Sequence, residues 1–193
     1  MTERAFQILV LGVGNLLLGD EGLGIHVVRR IARHRPQPKV IEVFEAGTSL
    51  FDFVGLFPQY SSLVLVDAIA CGNAPGTIYC FNSIEEFRHA RAPVSLHEWS
   101  IVESIRSAEI LNMSPKRLMI IGAEPKTIAA SMNLSPQLAR ASRRIATFIL
   151  QLQAPTSKLN CLGGGERPRR GSKYWTTSQP GTGSKNVALP IRH

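Results

Sequence analysis

"FQILVLGVGNLLLGDEGLGIHVV", Phe6 to Val28, decides the fold. Its first eight residues, Phe6 to Val13, are almost entirely apolar, as in a strand buried on both faces of a parallel sheet. Glycines then turn the chain. Ile25, Val28, Ile31 and Ala32 recur at helical spacing, with Arg29, Arg30 and Arg33 on the wet side between them. Pro36 closes that helix. A buried strand passing through a glycine turn into an amphipathic helix is the opening unit of an α/β sheet.

The same alternation continues outward. Val40 to Phe44 reads as a second strand, followed by a helix with Leu50, Phe53, Val54 and Phe57 inside, capped by Thr48 or Ser49. Leu63 to Val66 is a third buried strand, ending at Asp67. "TIYCF" (Thr77 to Phe81) follows the turn "GNAPG" and suits an edge. Asn82 to Pro93 reads as a looser stretch. "VSLHEWS" leads into a helix with Ile101, Val102, Ile105 and Ala108 on one side, and Leu118 to Ile121 is a fifth strand. Ser135-Pro136 starts a last helix with Leu138, Ala141, Ile145, Phe148, Ile149 and Leu152 as its stripe. The expected fold is an α/β three-layer sandwich: a mostly parallel, twisted five-stranded sheet with helices on both faces.

One domain over residues 1–154 accounts for all of this, and 44% hydrophobic residues are enough to give it a core. After Ala154 the composition turns to Gly, Pro, Ser, Thr and Arg without an apolar period. Residues 155–193 are therefore expected to be a basic, disordered extension. It holds seven Lys/Arg and one Glu, so most of the net charge of +8 belongs there. A nucleic-acid binder would place a basic face on the folded domain, which argues against that partner. No run approaches the length of a membrane span, and no secretory leader is apparent. Three scattered cysteines (Cys71, Cys80, Cys161) fit a reducing cytoplasm with no disulfide framework.

The opening stretch looks like a phosphate loop but fails as one. The dinucleotide fingerprint needs a third glycine where Leu17 stands. The Walker A spacing from Gly14 to Gly19 is followed by Asp20-Glu21 instead of Lys-Ser/Thr. Carboxylates at a helix start satisfy its positive field and repel a pyrophosphate. One simple reading has Asp20 or Glu21 as a helix cap; another has one of them pointing into the cleft beyond the strands. Glu45 closes strand two, Asp67 closes strand three, and His97 opens a later helix, all on the side where open α/β sheets bind ligands. Carboxylates plus an imidazole make an oxygen and nitrogen set suited to a nickel- or zinc-type ion. His26 lies inside a helix with no acidic companion and is left out of that set.

Five blocks in order, "LVLGVGNLLLGDEGLGIHVV" (9–28), "EAGT" (45–48), "LVLVDAIACGNAPGTIY" (63–79), "SLHEWSI" (95–101) and "LMIIGAEPKTI" (118–128), resemble the hydrogenase maturation proteases. That resemblance implies an endopeptidase, classed as aspartic-type, that removes a short C-terminal peptide from the large-subunit precursor of a nickel-iron hydrogenase after nickel insertion. It implies Glu21, Asp67 and His97 as the nickel-contacting residues, with the nickel delivered by the precursor and zinc as a possible substitute. Glu45 or Asp20 would then serve as base. A cytoplasmic monomer, without membrane insertion, is expected. Where many members carry D-G-G-[ST], this chain has Glu45-Ala46-Gly47-Thr48, and Ala46 would be strained at a position needing φ > 0. The rival classes are a nickel-binding chaperone that cuts nothing and a Rossmann-type nucleotide domain.

Overall fold

The computed structural model describes residues 8–36, 40–90, 96–152, 174–176 and 188–190, with backbone alone for 96–100 and for the last two segments. Strand β1 (Ile8–Val13) leads through a 3₁₀ turn (Asp20–Gly22) into α1 (Leu23–Arg33). Strand β2 (Ile41–Gly47), a 3₁₀ helix (Leu50–Gln59), β3 (Ser62–Ala68) and β4 (Ile78–Phe81) follow. Then come α2 (Ile84–His89), α3 (Leu96–Ile110), β5 (Leu118–Ala123) and α4 (Pro136–Leu150). The sheet order is β2-β1-β3-β5-β4. All neighbours run parallel except β4, which pairs antiparallel with β5 at the edge. The five-stranded, mostly parallel α/β sandwich expected from the sequence is what forms.

The apolar runs are unbroken because each strand is covered twice. Ile8 and Val10 of β1, Val64 and Val66 of β3, and Met119 and Ile121 of β5 join the core beneath α1 and α4. Leu9, Leu11, Leu63, Leu65 and Ile120, one residue out of step, join the core under the 3₁₀ helix and α3. Successive strand residues point to opposite faces, so both halves of the run are buried. Gly24 is what lets α1 lie so close. A Cβ there would stand 2.2 Å from the carbonyl oxygens of Val13 and Val66.

Three local expectations change. The segment after β2 is a 3₁₀ helix rather than an α-helix, and Ser49 makes no side-chain cap there. Pro58 lies inside it and cannot donate to the preceding turn. The loose stretch after β4 contains α2, capped by Ser83 accepting from the Glu86 amide at 3.1 Å. Cys80 is disulfide-bonded, which the cysteine spacing did not foretell. Within 155–193 the described residues are β6 (Tyr174–Thr176) and β7 (Ala188–Pro190), paired antiparallel; the rest of the proposed extension lies outside the described residues. Among the described residues no helix is long and apolar enough to cross a membrane.

Candidate functional site at the carboxyl edge of the sheet

The loop after β1 is held by Gly14. Its φ is 127°, and a Cβ would stand 1.9 Å from the carbonyl oxygen of Glu21. The same Cβ would be 3.7 Å from Asp67 Oδ1, so the absent side chain is what lets the turn carrying Glu21 close onto the end of β3. Glu21 and Asp67 are 7% and 1% exposed, and the Ala68 amide donates to Asp67 Oδ1 at 2.8 Å. Two buried acids, one in the turn after β1 and one at the end of β3, thus belong to segments that meet at one glycine. Ionised carboxylates rarely sit so deep unless hydrogen bonds or a cation offset their lost hydration.

Asp20, next to Glu21, has a different task. It is fully buried and caps neither the 3₁₀ turn nor α1. Its Oδ2 accepts from the amides of Lys126 and Thr127 at 2.8 and 3.3 Å, and its Oδ1 from the amide of Ser135 at 2.6 Å. Ser135 in turn caps α4, as its Ser-Pro start predicted. The simple cap reading of Asp20 is therefore right in kind and wrong in target. The donors belong to the loop between β5 and α4.

Glu45 faces away from Asp67. Val43, two residues before it, packs on the α1 side of the sheet, whereas Phe44 and Ala46 pack on the other. Arg29 of α1 meets the Glu45 carboxylate with two hydrogen bonds of 2.8 Å. That pairing holds the Glu45 carboxyl below the usual range and raises the Arg29 guanidinium. Asp67 continues the parity of Leu63 and Leu65, the side covered by α3. Ala46 is unstrained, because the positive φ (59°) falls on Gly47, which this chain retains.

The backbone of His97 lies in the first turn of α3; its side chain lies outside the description. The last turn of α3 hands over to β5, so α3 runs back along the sheet and brings its first turn from the carboxyl edge. Among the described residues no three His, Cys, Asp or Glu side chains form a metal-sized cluster. Of the three predicted ligands, the backbone of Glu21 and the carboxylate of Asp67 lie against Gly14, and the backbone of His97 lies in the layer that Asp67 faces.

One group escaped sequence reasoning, and His26 was set aside by it. Glu124, just past β5, is buried and accepts from the amides of Cys71 and Gly72 at 2.9 and 3.2 Å and from the Tyr79 hydroxyl. Burial, then that contact, pushes the Tyr79 hydroxyl up. An acid ending a strand in "GAEP" was the available signal. For His26, burial, helped by Arg29 and Arg30, lowers the pKa.

The family model described as hydrogenase maturation protease matches residues 25–152, a span holding Glu45, Asp67 and His97 and beginning four residues after Glu21. The hydrogenase 2 maturation protease of Escherichia coli (strain K12) is 29% identical over 131 residues, 67% of this chain and 80% of that protein. The hydrogenase expression/formation protein HupD of Bradyrhizobium diazoefficiens is 34% identical over 120 residues, 62% of either chain, so less than two thirds of that relative is spanned. Among solved structures, the hydrogenase maturating endopeptidase HybD from E. coli matches with a TM-score of 0.68 and 26% identity, covering 75% of this chain and 90% of that one. The [NiFe] hydrogenase maturation protease HybD from Thermococcus kodakarensis shares the fold, with a TM-score of 0.64 at 24% identity over 75% of this chain and 97% of its own.

Proposed function

The chain belongs to the hydrogenase maturation protease family, and from that premise we propose that it removes a short C-terminal peptide from the nickel-loaded large-subunit precursor of a nickel-iron hydrogenase. The observation that carries this reading is the burial of Glu21 and Asp67, on two segments that Gly14 lets meet at the carboxyl edge. In this reading nickel arrives with the substrate. Two carboxylates and the His97 imidazole are donors suited to a borderline divalent ion, nickel or a zinc stand-in, that keeps the precursor's own ligands. Holding the ion fixes the peptide segment beside it, and positioning of that kind removes much of the entropic barrier. The work is assigned to a cytoplasmic monomer.

Cleavage also needs an activated water. Of the two acids offered as base, Asp20 has both oxygens committed to backbone amides, which makes it a positioning residue. Glu45 is paired with Arg29 on the other face, with its proton affinity lowered. Neither acid is therefore placed for an aspartic-type mechanism. That neither of these two acids is poised as a base is what favours the second reading, a nickel-binding maturation factor that cuts nothing.

Intact-mass analysis of a candidate precursor separates the two. Nickel-loaded precursor should lose its C-terminal peptide, and nickel-free precursor should not. Asp67→Asn, which keeps shape and removes charge, should slow cleavage by about 100-fold or more. Efficient processing of nickel-free precursor, or normal rates with Asp67→Asn or His97→Ala, would remove the metal-reading model.

A further inference from the structure

The loops on the outer side of the acid pair carry apolar side chains in water. Leu17 and Met132 are each 63% exposed and Ile128 is 50% exposed. Single exposed apolar residues are ordinary on a protein surface. These three are not scattered, because the backbone ties their loops together. The Gly19 amide donates to the Ser131 carbonyl at 2.6 Å, and the Ser131 amide to the Leu17 carbonyl at 3.0 Å. Gly19 also bridges Ile128, and Leu18 bridges Ser131.

The loop between β5 and α4 is pinned at further points. Asp20 holds the amides of Lys126, Thr127 and Ser135. Ser131 Oγ accepts from the Asn133 amide at 3.0 Å inside the loop. A loop this restrained, reached from a fully buried carboxylate, keeps its apolar residues out of the core and in place. Preset apolar surface binds tightly because little ordering is left to occur on association.

We infer that Leu17, Ile128 and Met132 form a preset apolar rim that grips an apolar, extended segment of the precursor polypeptide beside the scissile bond. The inference rests on the proposed function for its partner, and the rim is continuous with the site through adjacent residues: Asp20 pins it, and Glu21 is the next residue. A second apolar surface, Ile110 and Leu111 at 80% and 50% exposure, lies at the far end of α3, at the amino edge of the sheet, and makes no such connection. It serves as an internal control.

The test compares the full chain with two variants, Leu17→Asn/Ile128→Thr/Met132→Gln and Ile110→Thr/Leu111→Gln, using nickel-loaded precursor. Affinity is measured by binding to immobilised precursor, and cleavage by intact mass over a precursor series. The rim variant should bind about tenfold or more weakly and raise KM correspondingly, with kcat within about twofold. The control variant should match the parent in both. Unchanged affinity of the rim variant, a loss confined to kcat, or an equal loss in the control overturns the inference. If the parent binds precursor without cutting it, the protease reading fails while weaker binding by the rim variant still supports the rim. If the parent does not bind precursor at all, the rim inference fails.

Discussion

The loop leaving β1 carries Asp20 and Glu21, both inside the protein, whereas the end of β2 carries Glu45 with its side chain 45% exposed. These are neighbouring parallel strands, and each delivers acid to the same edge of the sheet. In the first loop backbone does the placing: Gly14 lets the turn carrying Glu21 pack close, and amides from a remote loop take Asp20. In the second, one side chain, Arg29, does the aiming across solvent. The difference is one of consequence. Buried acceptors with backbone donors leave those donors stranded when removed, whereas an exposed ion pair is replaced by water on both sides.

The comparison breaks most sharply at Asp20. Asp20→Ala leaves three amides without their acceptor, and unfolding in urea should show a loss of about 3 kcal/mol or more. Asp20→Asn, which can still accept, should lose less. If alanine costs under about 1 kcal/mol, the buried tie carries no more weight than a surface pair. Glu45→Gln sits on the other side of the contrast. Its stability should fall by about 1 kcal/mol or less and cleavage by less than about threefold. A hundredfold drop in kcat would return Glu45 to the role of base and overturn the face-of-sheet argument.

The smallest effect concerns pH. His26 has a lowered pKa, so its unfolded form takes a proton at higher pH than the folded form. Stability is therefore fully present above the ordinary histidine value and declines as pH falls through it toward the lowered one. A melting series from pH 7.5 to 5.5 should show His26→Gln declining less than the parent, by about 2 °C or less given the partial burial. A steeper decline in the variant would reverse the sign of the linkage.

Much of this was legible from local pattern. Doubly buried strands declare themselves as apolar runs, and Ser135-Pro136 marked the start of α4. Six residues of α2 are too few for a helical period to show. Asp20's partners stand 106, 107 and 115 residues away, beyond anything periodicity can relate. Glu45 was legible as an acid at a strand end, but its direction depended on strand parity and on an arginine of α1 arriving beside it. Glu21 and Asp67 were chosen by position at strand ends, and the glycine between them is what brings those positions together.

The tie from Asp20 also sets an order in time. Asp20 and Glu21 are synthesised within the first 21 residues, yet the anchors of Asp20 are residues 126, 127 and 135. A chain emerging from the ribosome carries Glu21 long before anything holds the turn in place. The turn is therefore braced last, when the start of α4 docks; a chain ending before Ser135 lacks one of the three amides, and one ending before Lys126 lacks them all.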